Sequence, residues 1–107
     1  EIKNASLSID DKLKPESFTL RSNYPNPFNP TTNIAYDLSK NSFVNISIFD
    51  IDGKKVRTLL NRFQSEGYNT IIWNGKNDSN VRVAAGMYLY TLLVEDMIQT
   101  RKMVMLK

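Results

Sequence analysis

Four residues of the stretch from 74 to 80, Asn74, Asn77, Asp78 and Asn80, could offer oxygen ligands to calcium. Calcium favours several carboxylates, and this loop holds one, so a polar turn whose side chains bond their own backbone competes with a metal site. Asp50 and Asp52 form a pair of carboxylates two residues apart. Such a pair can divide acid and base roles, but Gly53 follows directly, and hairpin-turn chemistry explains both acids more simply. No serine has an imidazole to activate it, because the chain contains no histidine. With no cysteine either, thiolate metal sites, thiol nucleophiles and disulfides are all ruled out. Trp73, Tyr88 and Tyr90 could form a sugar-binding platform, although aromatics at alternating strand positions more often pack across strands. Lys54, Lys55, Arg57 and Arg62 could face an anionic surface or simply keep a strand soluble. The residues therefore point away from catalysis, and no cofactor is implied.

The composition fits a binding or structural module. The chain has 107 residues and is 41% hydrophobic, enough for one modest domain that buries roughly two-thirds of its unfolded surface. A net charge of +3, with basic residues scattered among eleven acids, leaves no footprint for nucleic acid. No apolar run approaches the roughly 20 residues that span a bilayer. The chain opens on Glu1 in a polar stretch without a secretory signal, and it reads as a piece of a longer protein.

Alternation defines the elements. Residues 1–15 are polar and are expected to be a linker or N-terminal arm, with the domain at 16–107. Phe18 and Leu20 alternate, as do Ile34, Tyr36 and Leu38, and then Val44, Ile46 and Ile48. Asp50 to Gly53 reads as a hairpin turn. The segment after it is ambiguous: Val56, Leu59, Leu60 and Phe63 match helical spacing, while the strands on either side favour another strand. Gly67 opens a run with Ile71 and Trp73 on one face. Gly86 opens another with Tyr88, Tyr90, Leu92 and Val94 on one face. A last strand runs to Lys107, with Thr100, Lys102, Val104 and Leu106 on one side and Arg101, Met103, Met105 and Lys107 on the other. Apolar residues on both sides imply that this strand is covered on each side or keeps one face for a partner. About seven short strands at regular spacing predict an antiparallel β-sandwich. The expected core is Ile34, Tyr36, Val44, Ile46, Ile48, Ile71, Trp73, Tyr88, Tyr90 and Leu92.

One segment does not fit a plain turn. "NYPNPFNPTTNIAYDL", residues 23–38, places Pro25, Pro27 and Pro30 within six residues, around a single Phe28. Proline fixes its own φ, donates no hydrogen bond and pushes the preceding residue towards extended geometry. The reading is a stiff, extended lead-in that lies at a sheet edge or crosses between sheets, with Phe28 packed against the sandwich as apolar anchor and the asparagine side chains closing local turns.

Together with "VNISIFDIDGKKVRTLL", "GYNTIIWNGKNDSNVRVAAGMYLYTLLVED" and "TRKMVMLK", this segment resembles the type A C-terminal sorting domain of the type IX secretion system. The resemblance covers roughly residues 16–107. The family is also similar to the immunoglobulin-like domain of flagellar hook-capping proteins. Its first motif falls on Pro25, Asn26, Pro27, Phe28, Asn29 and Pro30, and its middle motif on Asp50, Gly53, Val56 and Leu59. The third falls on Gly67, Trp73, Gly75, Gly86 and Tyr88, and the terminal motif on Lys102, Met103, Val104, Leu106 and Lys107. Asn74 stands where the family usually has Asp, Asn80 replaces a common glycine and Ala85 a serine. The resemblance implies an immunoglobulin-like sandwich of about seven strands and a non-catalytic sorting and anchoring role. It further implies an upstream cargo in the same chain, passage through the periplasm, and delivery to the cell surface or medium. The implied partners are an outer-membrane translocon and a sortase. A carbohydrate-binding or adhesive module is the alternative; exposed aromatics in a planar row would favour it, and a buried Trp73 and Tyr88 would favour sorting.

Overall fold

A computed structural model describes residues 15–107. The expected linker lies outside the described residues except for Pro15. Seven strands follow in order: β1 (Thr19–Leu20), β2 (Thr32–Leu38), β3 (Ser42–Asp50), β4 (Lys55–Gln64), β5 (Gly67–Trp73), β6 (Gly86–Val94) and β7 (Met97–Met105). They form a three-stranded sheet, β1-β2-β5, and a four-stranded sheet, β4-β3-β6-β7, with every strand pair antiparallel. This is the expected all-β, immunoglobulin-like sandwich. The period-2 pattern dictates it, because each strand has one apolar face and two such faces can only be buried against each other.

Between the sheets lie Ile34, Tyr36, Val44, Ile46, Ile48, Trp73, Tyr88, Tyr90 and Leu92, all buried as expected. Ile71 is the exception and is only half-buried. Its strand, β5, pairs with β2 alone and so forms an edge of the smaller sheet, where solvent reaches the flank. Phe18, Leu20, Phe28, Leu38, Leu60, Val94, Met103 and Met105 join the core from outside the expected set.

The ambiguous segment is a strand, and its register explains the helical spacing. Ile46 pairs with Leu60 while Ser47 pairs with Thr58, so Leu59 is an extra residue. Ile48 pairs with Arg57 while Phe49 pairs with Lys55, so Val56 is another. Two bulges three residues apart turn Val56, Leu59 and Leu60 towards the core and break the alternation. Phe63 lies beyond them, mostly exposed, with its ring edge-on to Phe43 at 5.4 Å.

The β3–β4 turn accounts for the paired acids. Asp50 Oδ1 accepts from the backbone N–H of Asp52 at 3.0 Å and of Lys54 at 2.9 Å. Gly53, at φ 88°, donates its N–H to the Asp50 carbonyl. The carboxylate thus stabilises the turn.

Where β1 meets β7, side chains take the place of a backbone ladder. Gln99 donates to the Phe18 carbonyl at 2.8 Å and accepts from the Leu20 N–H at 2.7 Å. Arg101 Nε donates to the Leu20 carbonyl at 2.7 Å, and the Tyr90 hydroxyl donates to the Arg21 carbonyl at 2.8 Å. These bonds give the short β1 the partners that its two residues could not find in a sheet alone.

Trp73 is fully enclosed. Trp73→Ala should therefore lower stability by about 3–5 kcal/mol in urea unfolding followed by circular dichroism, whereas truncating the exposed Phe63 should cost at most about 1 kcal/mol. A second test uses pH. Burial pushes the phenols of Tyr36, Tyr88 and Tyr90 above the ordinary tyrosine value, and the nearby Asp50 charge pushes Tyr88 the same way. The unfolded chain then loses these protons first. Stability should be intact below about pH 10 and fall as pH rises from there towards the raised folded values. Urea midpoints measured across that range should decline, and a flat profile would contradict the burial of these hydroxyls.

Candidate functional site

The proline segment and the C-terminal strand meet at one end of the sandwich. The segment leaves β1 and returns to β2, two strands of the smaller sheet, and between them it reaches the edge of the larger sheet at β7, in keeping with the expected edge or crossover position. It is also bent, at residues 25–27 and again at 29–30, and is not a straight extended lead-in. The bends carry Phe28 to the edge of β7, where it forms a parallel bridge with Met105. Phe28 donates its N–H to the Val104 carbonyl at 3.0 Å, and its carbonyl accepts from the Leu106 N–H at 2.7 Å. Pro25, Pro27 and Pro30 have no N–H to offer, and it is Phe28 whose N–H and C=O both pair with the end of the chain.

The asparagines were expected to close local turns. Two of them instead reach the far end of the chain. Asn26 Oδ1 accepts from the Val104 N–H at 3.0 Å, and Asn29 Nδ2 donates to the Lys107 carbonyl at 2.8 Å, each across 78 residues. The local closure falls to Asn23 and Thr32. The Thr32 hydroxyl donates to the Pro25 carbonyl at 2.8 Å, and Asn23 Nδ2 donates to the Thr32 hydroxyl at 3.0 Å. Asn23 closes its turn as expected of the segment's asparagines, its Nδ2 also donating to the Pro25 carbonyl at 3.2 Å, whereas nothing in the type of Thr32 marks it in advance; both are buried.

Beneath the clamp the aromatic rings stack in a row. Phe28 lies 5.7 Å from Trp73, and Trp73 lies edge-on to Tyr88 at 5.4 Å. The Trp73 indole N–H donates to the Lys76 carbonyl at 2.9 Å, and the Tyr88 hydroxyl donates to the Ala84 carbonyl. Gly75 follows with φ 77°, and a Cβ there would stand 3.1 Å from both Met105 Sδ and the Pro30 carbonyl oxygen. Only glycine fits this backbone and this space, so the loop after Trp73, the proline segment and β7 close on one another.

The expected recognition residues thus fall in several places. Pro25 to Pro30, Trp73, Tyr88, Val104, Leu106 and Lys107 are gathered at the clamp. Gly86 opens β6 opposite Met105, and Lys102 lies on β7 just before the clamped residues. Gly53 lies in the β3–β4 turn, and Gly67 opens β5 opposite Leu38, at the far end of the sandwich. On β7, Met103 and Met105 face the core, while Lys102 and Leu106 are exposed and Val104 is half-buried. One face is therefore covered by the fold and the other is open.

The competing chemistries find little support. Trp73, Tyr88 and Tyr90 are buried and offer no platform to a sugar. In the loop, Asn77 Oδ1 accepts from the N–H groups of Ser79 and Val81, Asn74 Oδ1 from Lys76, and Asp78 Oδ1 from Thr58. These oxygens are committed to backbone donors, so the loop is a poor fit to calcium. Asp78 also donates its own N–H to the Val56 carbonyl, so the loop covers the edge of β4 at its bulges. Arg57 of the basic cluster joins it by donating to the Asn77 carbonyl at 2.9 Å. Among the described residues, no helix is long and apolar enough to cross a membrane.

The profile of a family described as "Secretion system C-terminal sorting domain" matches residues 22–106. The chain belongs to this family, the C-terminal sorting domains of the type IX secretion system. No curated protein matches the chain. Solved structures resemble its fold. PorZ of Porphyromonas gingivalis, a surface component of the type IX secretion system, is 18% identical over 80% of this chain and 11% of its own, with a TM-score of 0.58. Latent dimeric PorU of the same organism is 21% identical over 82% of this chain and 9% of its own, with a TM-score of 0.66. The hook-capping protein FlgD of Xanthomonas campestris is 22% identical over 85% of this chain and 63% of its own, with a TM-score of 0.56. The chain thus spans about a tenth of the length of PorZ and of PorU.

Removing the anchor or filling the glycine should open the clamp. Phe28→Ala is expected to cost about 3–5 kcal/mol. Gly75→Ala is expected to cost at least about 2 kcal/mol, from left-handed strain and the close approach to Met105. Urea unfolding of each variant measures this. A Gly75→Ala protein as stable as the parent would show that the loop and β7 do not meet this closely.

Proposed function

We propose that residues 16–107 form a non-catalytic sorting unit, joined by residues 1–15 to an exported cargo. The unit is read in the periplasm and brought to an outer-membrane translocon, and the cargo reaches the cell surface or the medium. A sortase that removes the unit and anchors the cargo completes the partner set. Membership of the sorting-domain family supports this reading. The observation that carries it is the clamp: two segments at opposite ends of the domain, both part of the family's pattern, are hydrogen-bonded into one exposed feature. A folded domain presents this feature whole, and a damaged or unfinished one does not. The proline segment, Lys102, Leu106 and Lys107 would then be the residues that the machinery reads. The carbohydrate alternative lacks its platform, and the exposed Phe43 and Phe63 stand edge-to-face, not in a planar row.

The test is a fusion of a signal peptide, a reporter and this chain, expressed in a host that has the secretion system. Deleting Met103 to Lys107 would also remove two core methionines. Replacing the exposed side chains instead, Leu106→Ser together with Lys107→Glu, spares the core and keeps the backbone groups that bond to Phe28 and Asn29. The substituted fusion should accumulate in the periplasm with its domain still resistant to protease. Undiminished delivery to the surface would overturn the role assigned to this terminus.

A further inference from the structure

We infer that the open edge of β7 between Ile98 and Lys102 binds an extended acidic peptide segment as an added strand. The bonds at Val104 and Leu106 establish which backbone groups of β7 turn away from β6: those of the even-numbered residues. By the same alternation, Ile98, Thr100 and Lys102 direct their N–H and C=O groups to the edge. From Val104 onwards that edge is closed by Asn26 and Phe28. Before it, among the described residues, no backbone segment pairs with the edge, because Gln99 and Arg101 bridge to β1 through their side chains. The open stretch spans about 13 Å.

Beside it lies a cleft of about 370 Å³, lined by Ser22, Asn26, Tyr90, Thr100, Arg101 and Lys102. Its lining contains two cations and no acid. Two ion pairs join described residues to one another, Arg21–Asp37 and Lys40–Glu95, and neither involves Arg101 or Lys102. Arg101 is held in place by neutral acceptors, the Leu20 carbonyl and the Ser22 hydroxyl at 3.2 Å, so its charge is positioned and not neutralised. No acid follows Asp96 in the chain. Arg101 and Lys102 are adjacent on a strand and point to opposite faces. An incoming strand with two consecutive acids would place one carboxylate against each cation, while its backbone satisfies Thr100 and Lys102. A lysine at an edge also discourages pairing, but it discourages neutral and basic strands, not acidic ones.

This inference goes beyond sorting and is read on the purified chain, so its failure would leave the sorting assignment standing. The probe is a capped threonine–valine peptide with a central glutamate–aspartate pair, and the control carries two lysines there. Amide hydrogen exchange on the full chain should slow at Thr100 and Lys102 with the acidic peptide only. Lys102→Glu, an exposed change that leaves the Arg101 bridges in place, should weaken binding about tenfold or more, as should high salt. Equal protection by the lysine peptide, or no protection of these two amides by the acidic one, would overturn the proposal.

Discussion

Phe28 anchors the domain twice, through its ring and through its backbone. The ring is enclosed against Trp73, and the N–H and C=O groups pair with Val104 and Leu106. Each half supports the other. Without the buried ring, only hydrogen bonds at the surface would hold the bent proline segment at the edge of β7. Without the backbone pair, the last residues of the chain would fray from an exposed edge. The surrounding features follow from this one contact. Gly75 has no side chain because Met105 and Pro30 approach it from two sides, and Asn26 and Asn29 extend the pairing to residues on either side of it.

The same logic runs along the seam between β1 and β7. A two-residue strand cannot be stable alone. β1 survives because Gln99 and Arg101 bond to the Leu20 backbone, Tyr90 bonds to the Arg21 carbonyl just after it, and Phe18 and Leu20 are buried in the core. Side chains therefore tie the two sheets together on this flank while leaving the backbone edge of β7 unpaired, up to the proline segment, where backbone pairing takes over. The opposite flank is handled differently. There the polar loop after Trp73 lies over the bulged part of β4, with Asp78 and Asn77 bonded to Val56, Thr58 and Arg57.

These arrangements engage several of the groups that could have done chemistry. Asp50 stabilises its turn, Asp78 caps an edge strand, and the buried tyrosines bond to backbone carbonyls or, for Tyr36, to Gln64. What remains outside is shape, exposed edge and positive charge, which suits a domain whose task is to be recognised.

Composition and alternation alone determined the class of fold and most of the core. Period-2 patterns in β2, β3 and β6 have one low-energy outcome, and a chain without cysteine or histidine has few reactive options. The prolines also announced an unusual segment with a buried phenylalanine. Local pattern could not supply the register of β4, because two bulges imitate a helical repeat and bulges depend on the partner strand. Nor could it reveal that Asn26 and Asn29 bond to residues 78 positions away, since asparagine beside proline looks locally like a turn former. The half-burial of Ile71 and the inward turn of Met103 and Met105 depended on which strands became edges. Those outcomes belong to the tertiary structure, because hydrogen-bond partners and solvent exposure are properties of neighbours that only folding brings together.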